Sequence, residues 1–152
     1  MDNSFPEAYQ PYVRLGMRAE EHLAQAVNDQ DGDRIEFALY LASREGPRAA
    51  LATVLHPLLA MTWHSRHEDI ALLLQRLRNP ASVEPLRDAC LRLHPFLVPD
   101  DGLAFIRKCT WALADIGNAN AKRALEEIAG GILEQPAAYA RKRLDQWDEK
   151  GK

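Results

Sequence analysis

Two stretches of this sequence superpose without a gap when one is moved by 39 positions. Ile70, Leu73, Leu74, Leu77, Asn79 and Leu86 land on Cys109, Ala112, Leu113, Ile116, Asn118 and Leu125. Each small or apolar residue meets another, and Asn meets Asn. The first four positions follow the 3, 1, 3 spacing of one helix face. A unit of this size cannot bury its apolar face alone. Neighbouring units bury it by stacking, and that restricts the chain to a repeat architecture.

The register extends in both directions. Moved back by 35, Ile70, Leu73, Leu74, Leu77, Leu86 and Ala89 fall on Ile35, Ala38, Leu39, Ala42, Leu51 and Val54. Moved forward by 31, Cys109, Leu113 and Ile116 fall on Ala140, Leu144 and Trp147. Spacings between 31 and 39 suit helix pairs with loops of unequal length. The punctuation agrees: Gly46-Pro47, Asn79-Pro80 and Gly117-Asn118 separate the two helices of successive pairs. Ser65-Arg66-His67-Glu68 reads as a capping box, and Pro136 as the opening of the last helix.

These signals predict helices over 7–28, 33–45, 47–62, 66–78, 81–94, 102–117, 119–130 and 136–147. The segment Phe96 to Gly102 is expected to be an ordered loop. No segment alternates long enough for a strand. The fold class is therefore all-α, an α-solenoid of stacked antiparallel helical pairs in a single domain over 1–152. Residues 33–147 carry the repeats and 1–30 form an atypical N-terminal cap.

Composition narrows the function classes. With 47% hydrophobic and 27% charged residues, the chain can bury a core. A net charge of −3 argues against the basic face that phosphate neutralisation requires. No basic amphipathic stretch points to a membrane surface. The stretch Leu51 to Trp63 is interrupted by Thr53, His56, Pro57 and Thr62 and is too short to span a bilayer. The polar start Met1-Asp2-Asn3-Ser4 lacks an apolar leader, so a cytoplasmic protein is expected. The termini, 1–6 and 148–152, read as frayed. Cys90 and Cys109 belong to no CxxC pair and occupy apolar helix positions, where they read as buried small hydrophobes.

The stretch Ile106-Arg107-Lys108-Cys109-Thr110-Trp111-Ala112-Leu113-Ala114-Asp115-Ile116-Gly117-Asn118, continued by Ala121 and Leu125, resembles the HEAT-like repeat. Pro136 to Leu144 resembles the start of a further unit. The likeness covers about 66–147, is weaker over 33–62 and is absent over 1–30. With Trp63-His64-Ser65-Arg66-His67-Glu68-Asp69-Ile70, the Lys108 to Leu113 run resembles small bacterial HEAT-repeat proteins, several of which look like immunity partners of toxins. The resemblance implies a binding platform with no cofactor.

Several residues tempt a chemical reading, and each has a structural alternative. His64 and His67 could supply two metal ligands from one face, but a site needs three or four, and His67 stands where Ile106 stands in the next unit. Glu68 and Asp69 suit a helix first turn. Asp29 to Asp33 imitates a calcium loop, yet with Gly32 at the sixth position the first would be Val27 and the twelfth Ala38. Asp100 and Asp101 are paired carboxylates on a loop, better placed to grip a basic partner than to divide acid and base roles. Trp111 lies off its helix stripe, so it faces either a neighbouring helix or an open groove. Trp63 is a candidate surface anchor, and Trp147 a core cap. Arg141, Lys142 and Arg143 read as a solvated basic face. No phosphate loop or nucleophile motif is present.

The expected function is non-catalytic protein binding, in its sharpest form an immunity protein that neutralises a toxin. Trp63, His64, His67, Glu68, Asp69, Asp100, Asp101 and Trp111 form the expected partner surface, with no metal and no cofactor. The alternatives are an adaptor or scaffold subunit, and an enzyme of the HEAT-like DNA glycosylase or bilin lyase kind. Trp63, Trp111 and Asp115 would be the glycosylase residues.

Overall fold

The apolar register turns directly into helices. The computed structural model describes residues 4–46 and 48–147, and among them every regular element is helical. A 3-10 turn (Glu7–Tyr9) leads into α1 (Gln10–Val13), followed by α2 (Ala19–Asp29) and α3 (Gly32–Glu45). Then come α4 (Ala49–Leu55) with a 3-10 extension (His56–Leu59), and α5 (His67–Leu77). A second turn, Pro80–Ser82, runs into α6 (Val83–Leu91). The chain ends with α7 (Pro99–Ile116), α8 (Ala119–Ala129) and α9 (Glu134–Asp145). Pro47 and the ends 1–3 and 148–152 lie outside the described residues, so the separator at Gly46-Pro47 and the frayed-end reading are followed only in part.

Several boundaries differ from the sequence expectation for local reasons. The helix expected over 7–28 is broken between α1 and α2, where Gly16 takes the left-handed conformation at φ 64°. The helix expected over 47–62 tightens to 3-10 at His56, because Pro57 has no N–H for the fourth carbonyl back. The loop expected over 96–102 is half helix. Pro99 occupies the first position of α7, where a missing N–H costs nothing, and the Gly102 N–H donates to the Val98 carbonyl at 3.0 Å. Proline and glycine were breakers by composition but a start signal by position. The last helix likewise begins at Glu134, two residues before Pro136.

The repeat positions are core positions. Ile35, Ala38, Ala42, Ile70, Leu74, Cys109, Ala112, Leu113 and Ala140 are all buried. On α4, α6 and α8, Leu51, Leu86 and Leu125 are fully enclosed. Cys90 and Cys109 join the same core as free thiols. Helix α5 packs on α7 and α7 on α9, while α2 packs on α4 and α6 on α8; α6 and α8 also lie against α7. The region before residue 19 adds no such register. It packs Tyr9 and Tyr12 against Phe37, each with ring centroids 5.2 Å away.

The connections gather at two edges. At one, Arg78 and Gly117 take left-handed conformations, and Asn79 and Asn118 cap the helical turns that begin just after them. Asn79 Oδ1 accepts from the Ala81 N–H at 2.9 Å, and Asn118 Oδ1 from the Ala121 N–H at 2.7 Å. This turn chemistry is what the sequence indicated. The other edge holds the starts of α3, α5, α7 and α9 and the longer connections before α5 and α7. Asp31 caps α3 there, accepting from the Arg34 N–H at 3.2 Å, which accounts for part of the acidic 29–33 run.

Candidate functional site

The second edge is held by imidazoles rather than asparagines. His64 Nδ1 accepts the Arg66 N–H at 3.0 Å, so its proton sits on Nε2, which donates to the Leu58 carbonyl at 2.8 Å. His67 stacks on it with centroids 4.1 Å apart and donates from Nε2 to the Met61 carbonyl at 2.7 Å. His94 donates to the Ala89 carbonyl at 2.7 Å. The Leu58 and Ala89 carbonyls lie in the last turns of the preceding helical elements and the Met61 carbonyl just beyond one, where backbone donors become scarce. Phe105 lies edge-on between His67 and His94, with centroids 5.4 and 5.1 Å away. Burial pushes His67 down to about 4, reinforced by neighbouring His64 and His94 against the pull of the Met61 carbonyl. Burial likewise holds His64 and His94 below the usual range. All three are neutral at pH 7, the form these single-donor bonds require.

This arrangement corrects two expectations. His64 and His67 are 6% and 1% exposed, so neither ring reaches a partner; they support the edge from beneath. The capping box at Ser65 to Glu68 does not form, because Arg66 rather than Ser65 is the N-cap and it makes no side-chain cap. His64 binds that backbone instead, and Glu68 reaches across to Lys108 Nζ at 2.9 Å. Both Nε2 atoms are committed to carbonyls, and among the described residues no cluster of His, Cys, Asp and Glu is arranged to hold a metal.

Of the expected surface residues, Trp63 lies above the histidines, and Asp69 is tied to the same edge through Arg66. Trp63 lies half-buried with its ring 5.2 Å from His64. Trp63, Arg66, Phe96, Leu97, Asp33 and Glu36 surround a recess of about 340 Å³. Arg66 bridges Glu36 at 2.7 Å and Asp69 at 3.8 Å. Asp100 and Asp101 project from the first turn of α7, exposed and with no ion-pair partner among the described residues.

Beside this recess opens an apolar groove that sequence reasoning missed. Leu93, Leu97, Leu103, Ile106, Leu133 and Pro136 line about 400 Å³ between the start of α7 and the start of α9. Around it Leu91, Leu93, Phe96, Val98 and Ile132 are 41, 75, 37, 61 and 100% exposed. A Cβ on Gly131 would touch Leu91, so the 130–133 turn abuts the end of α6. Leu15 and Tyr40 are the other exposed large hydrophobics among the described residues. The signal was present: Leu91, Leu93, Phe96, Leu97 and Val98 crowd a stretch interrupted by Arg92, His94 and Pro95 and ended by Pro99, with no helical stripe to hide them.

Trp111 stands apart, ten residues or about 15 Å along α7 from Asp101. It is half-buried, and the Arg143 guanidinium lies 3.5 Å from its ring centroid. Arg143 therefore leaves the solvated face expected for the Arg141 to Arg143 run, whereas Arg141 and Lys142 are exposed. Its Nε is buried with no hydrogen-bond partner among the described residues, and burial together with Arg107 holds its pKa below the ordinary value. Across the helix, Gln75 Nε2 donates to Asp115 at 2.7 Å. No helix among the described residues is long and apolar enough to cross a membrane. Set against known proteins, the chain matches no family model, no curated protein and no solved structure.

Proposed function

We propose that this chain is a non-catalytic protein-binding module built from stacked antiparallel helical pairs of the HEAT-like kind, and that it serves as an immunity protein that occludes a cognate bacterial toxin in the cytoplasm. The observation that carries the reading is the edge formed by Trp63, Phe96 and Val98 with the exposed acids Asp100 and Asp101, which have no ion-pair partner among the described residues. Exposed large apolar side chains concentrated in one place mark interaction surfaces, since a chain that stays alone tends to disperse them. Aromatic anchors surrounded by charge suit a partner of opposite charge, whose approach the acids accelerate. Stacked pairs explain why successive connections deliver their side chains to the same edge.

The test is co-purification with the product of the gene immediately upstream. A product that is toxic alone and harmless in complex supports the reading. Changing Trp63→Ala, Asp100→Asn and Asp101→Asn together should break that complex while leaving the helical signal intact. A neighbour without toxicity, in a stable metabolic or signalling operon, replaces immunity with an adaptor role.

One observation favours a second reading, a HEAT-like DNA glycosylase. Trp111 and Arg143 meet where α7 faces α9, with Arg107 near enough to depress Arg143, and Asp115 lies one turn along α7, bonded to Gln75 of α5. Trp63, assigned to that reading from sequence, lies instead at the histidine edge. A DNA mobility shift that weakens steeply with salt and disappears in Arg143→Ala would favour it over protein binding.

A further inference from the structure

We infer that the groove between the start of α7 and the start of α9 receives a short amphipathic helix from the partner, with apolar residues inward and lysines or arginines toward Asp100, Asp101 and Glu134. The inference rests on the protein-binding reading and specifies the segment recognised.

Three observations carry it. The lining is apolar: Leu97, Leu103, Ile106, Leu133 and Pro136 form the walls, and Leu93 and Val98 stand exposed beside it. A groove of about 400 Å³ that opens to solvent suits several side chains of a larger partner better than one enclosed ligand. Next, no strand occurs among the described residues, so no sheet edge is offered to an extended peptide. A segment entering an apolar groove must then satisfy its own backbone, which a helix does. Finally, the border is acidic. Glu134 lines the groove, and Asp100 and Asp101 lie between Pro99 and Gly102, which also line it. All three acids are exposed and without an ion-pair partner among the described residues, and Arg92 is the single cation in the lining.

The same charge decides against a second copy as occupant. Two copies meeting face to face would bring the same acids together, and like charges across an interface oppose association. A cationic partner gains what a second copy loses. Apolar anchors at positions i, i+3, i+4 and i+7 then fill the groove, with basic residues on the flanks.

The experiment is a two-dimensional NMR titration of the intact protein with a designed peptide of about 14 residues, roughly four helical turns. Its leucines occupy i, i+3, i+4 and i+7 and the remaining positions are lysine and alanine. A scrambled peptide of equal composition and a leucine–glutamate peptide are the controls. Saturable shifts confined to amides of 92–103 and 130–136, seen for the lysine peptide alone, are expected. Asp100→Asn, Asp101→Asn and Glu134→Gln together should weaken binding about tenfold, as exposed charges at a rim do. Leu103→Asp should abolish it, and Val98→Asp, at an already exposed position, gives the same answer without threatening the fold. Equal binding by the scrambled or acidic peptide overturns the proposal. So do shifts centred elsewhere, and so does concentration-dependent dimerisation through this face. If the lysine peptide seats here but the upstream gene product does not bind, the groove stands and the immunity reading falls. If that product binds and Val98→Asp and Leu103→Asp leave its affinity unchanged, the groove falls alone.

Discussion

Where α7 gives way to α8, Gly117 turns the chain left-handed and Asn118 caps the next helix within three residues of itself. Where α4 gives way to α5, and α6 to α7, the chain takes a longer path and three imidazoles reach back to carbonyls five or six residues earlier. Both edges satisfy orphaned helix-end groups. They differ in what the satisfaction depends on. The asparagine turns are local and work wherever the backbone bends. The histidine bonds require buried, neutral rings and therefore the finished packing of Phe105 and its neighbours. The edge that depends on tertiary structure also carries the exposed apolar residues.

The sharpest way to break this contrast is Phe105→Ala. The ring is fully buried between His67 and His94, and its loss should cost about 3–5 kcal/mol in urea unfolding. Trp111→Ala should cost less, because that ring is half-buried and leans on Arg143. Acidification should distinguish the edges without mutation. His67 is about 4 in the folded protein against about 6.5 unfolded, so the unfolded chain binds its proton first. Stability from this group is complete above pH 6.5, falls between 6.5 and 4, and then levels, a loss on the order of 3 kcal/mol. Hydrogen exchange in that window should rise in 60–66 and 92–98 before 117–119. A uniform rise would erase the distinction. Asn118→Ala should cost about 1 kcal/mol at any pH in this range, since the cap involves no titration. Glu68→Gln should cost under about 1 kcal/mol, because the pair with Lys108 is partly solvated; thermal melts at low and high salt would show it.

The contrast also explains what the sequence could reveal. The helices and their buried faces followed from spacing alone, because a shift that lays Leu74 on Leu113 also lays one enclosed side chain on another. The Asn79 and Asn118 turns were readable for the same reason: cap and recipient are neighbours in the chain. His64 and His67 were visible as a cluster but not as inward donors, since only the fold shows where the Leu58 and Met61 carbonyls end up. Trp63, Asp33 and Phe96 meet across three connections, and no periodicity encodes such a meeting. The apolar groove was not legible because Leu93 falls in the helix expected over 81–94 and Val98 in the expected loop, whereas α6 ends at Leu91 and both side chains stand exposed.

Cys90 and Cys109 give this architecture an internal clock. One thiol lies on α6 and the other on α7, both wholly enclosed, and burial with the neighbouring Cys90 pushes the Cys109 thiol well above its ordinary value. Cys90 points its sulfur toward the Ile106 carbonyl at 3.9 Å, inside the seam between these helices. An alkylating reagent in water thus reaches neither sulfur until α6 and α7 part. Corrected for the thiolate fraction seen in the unfolded chain at each pH, the rate at which the native protein is alkylated measures how often that seam opens, and a corrected rate that rises on acidification makes the imidazole edge the latch.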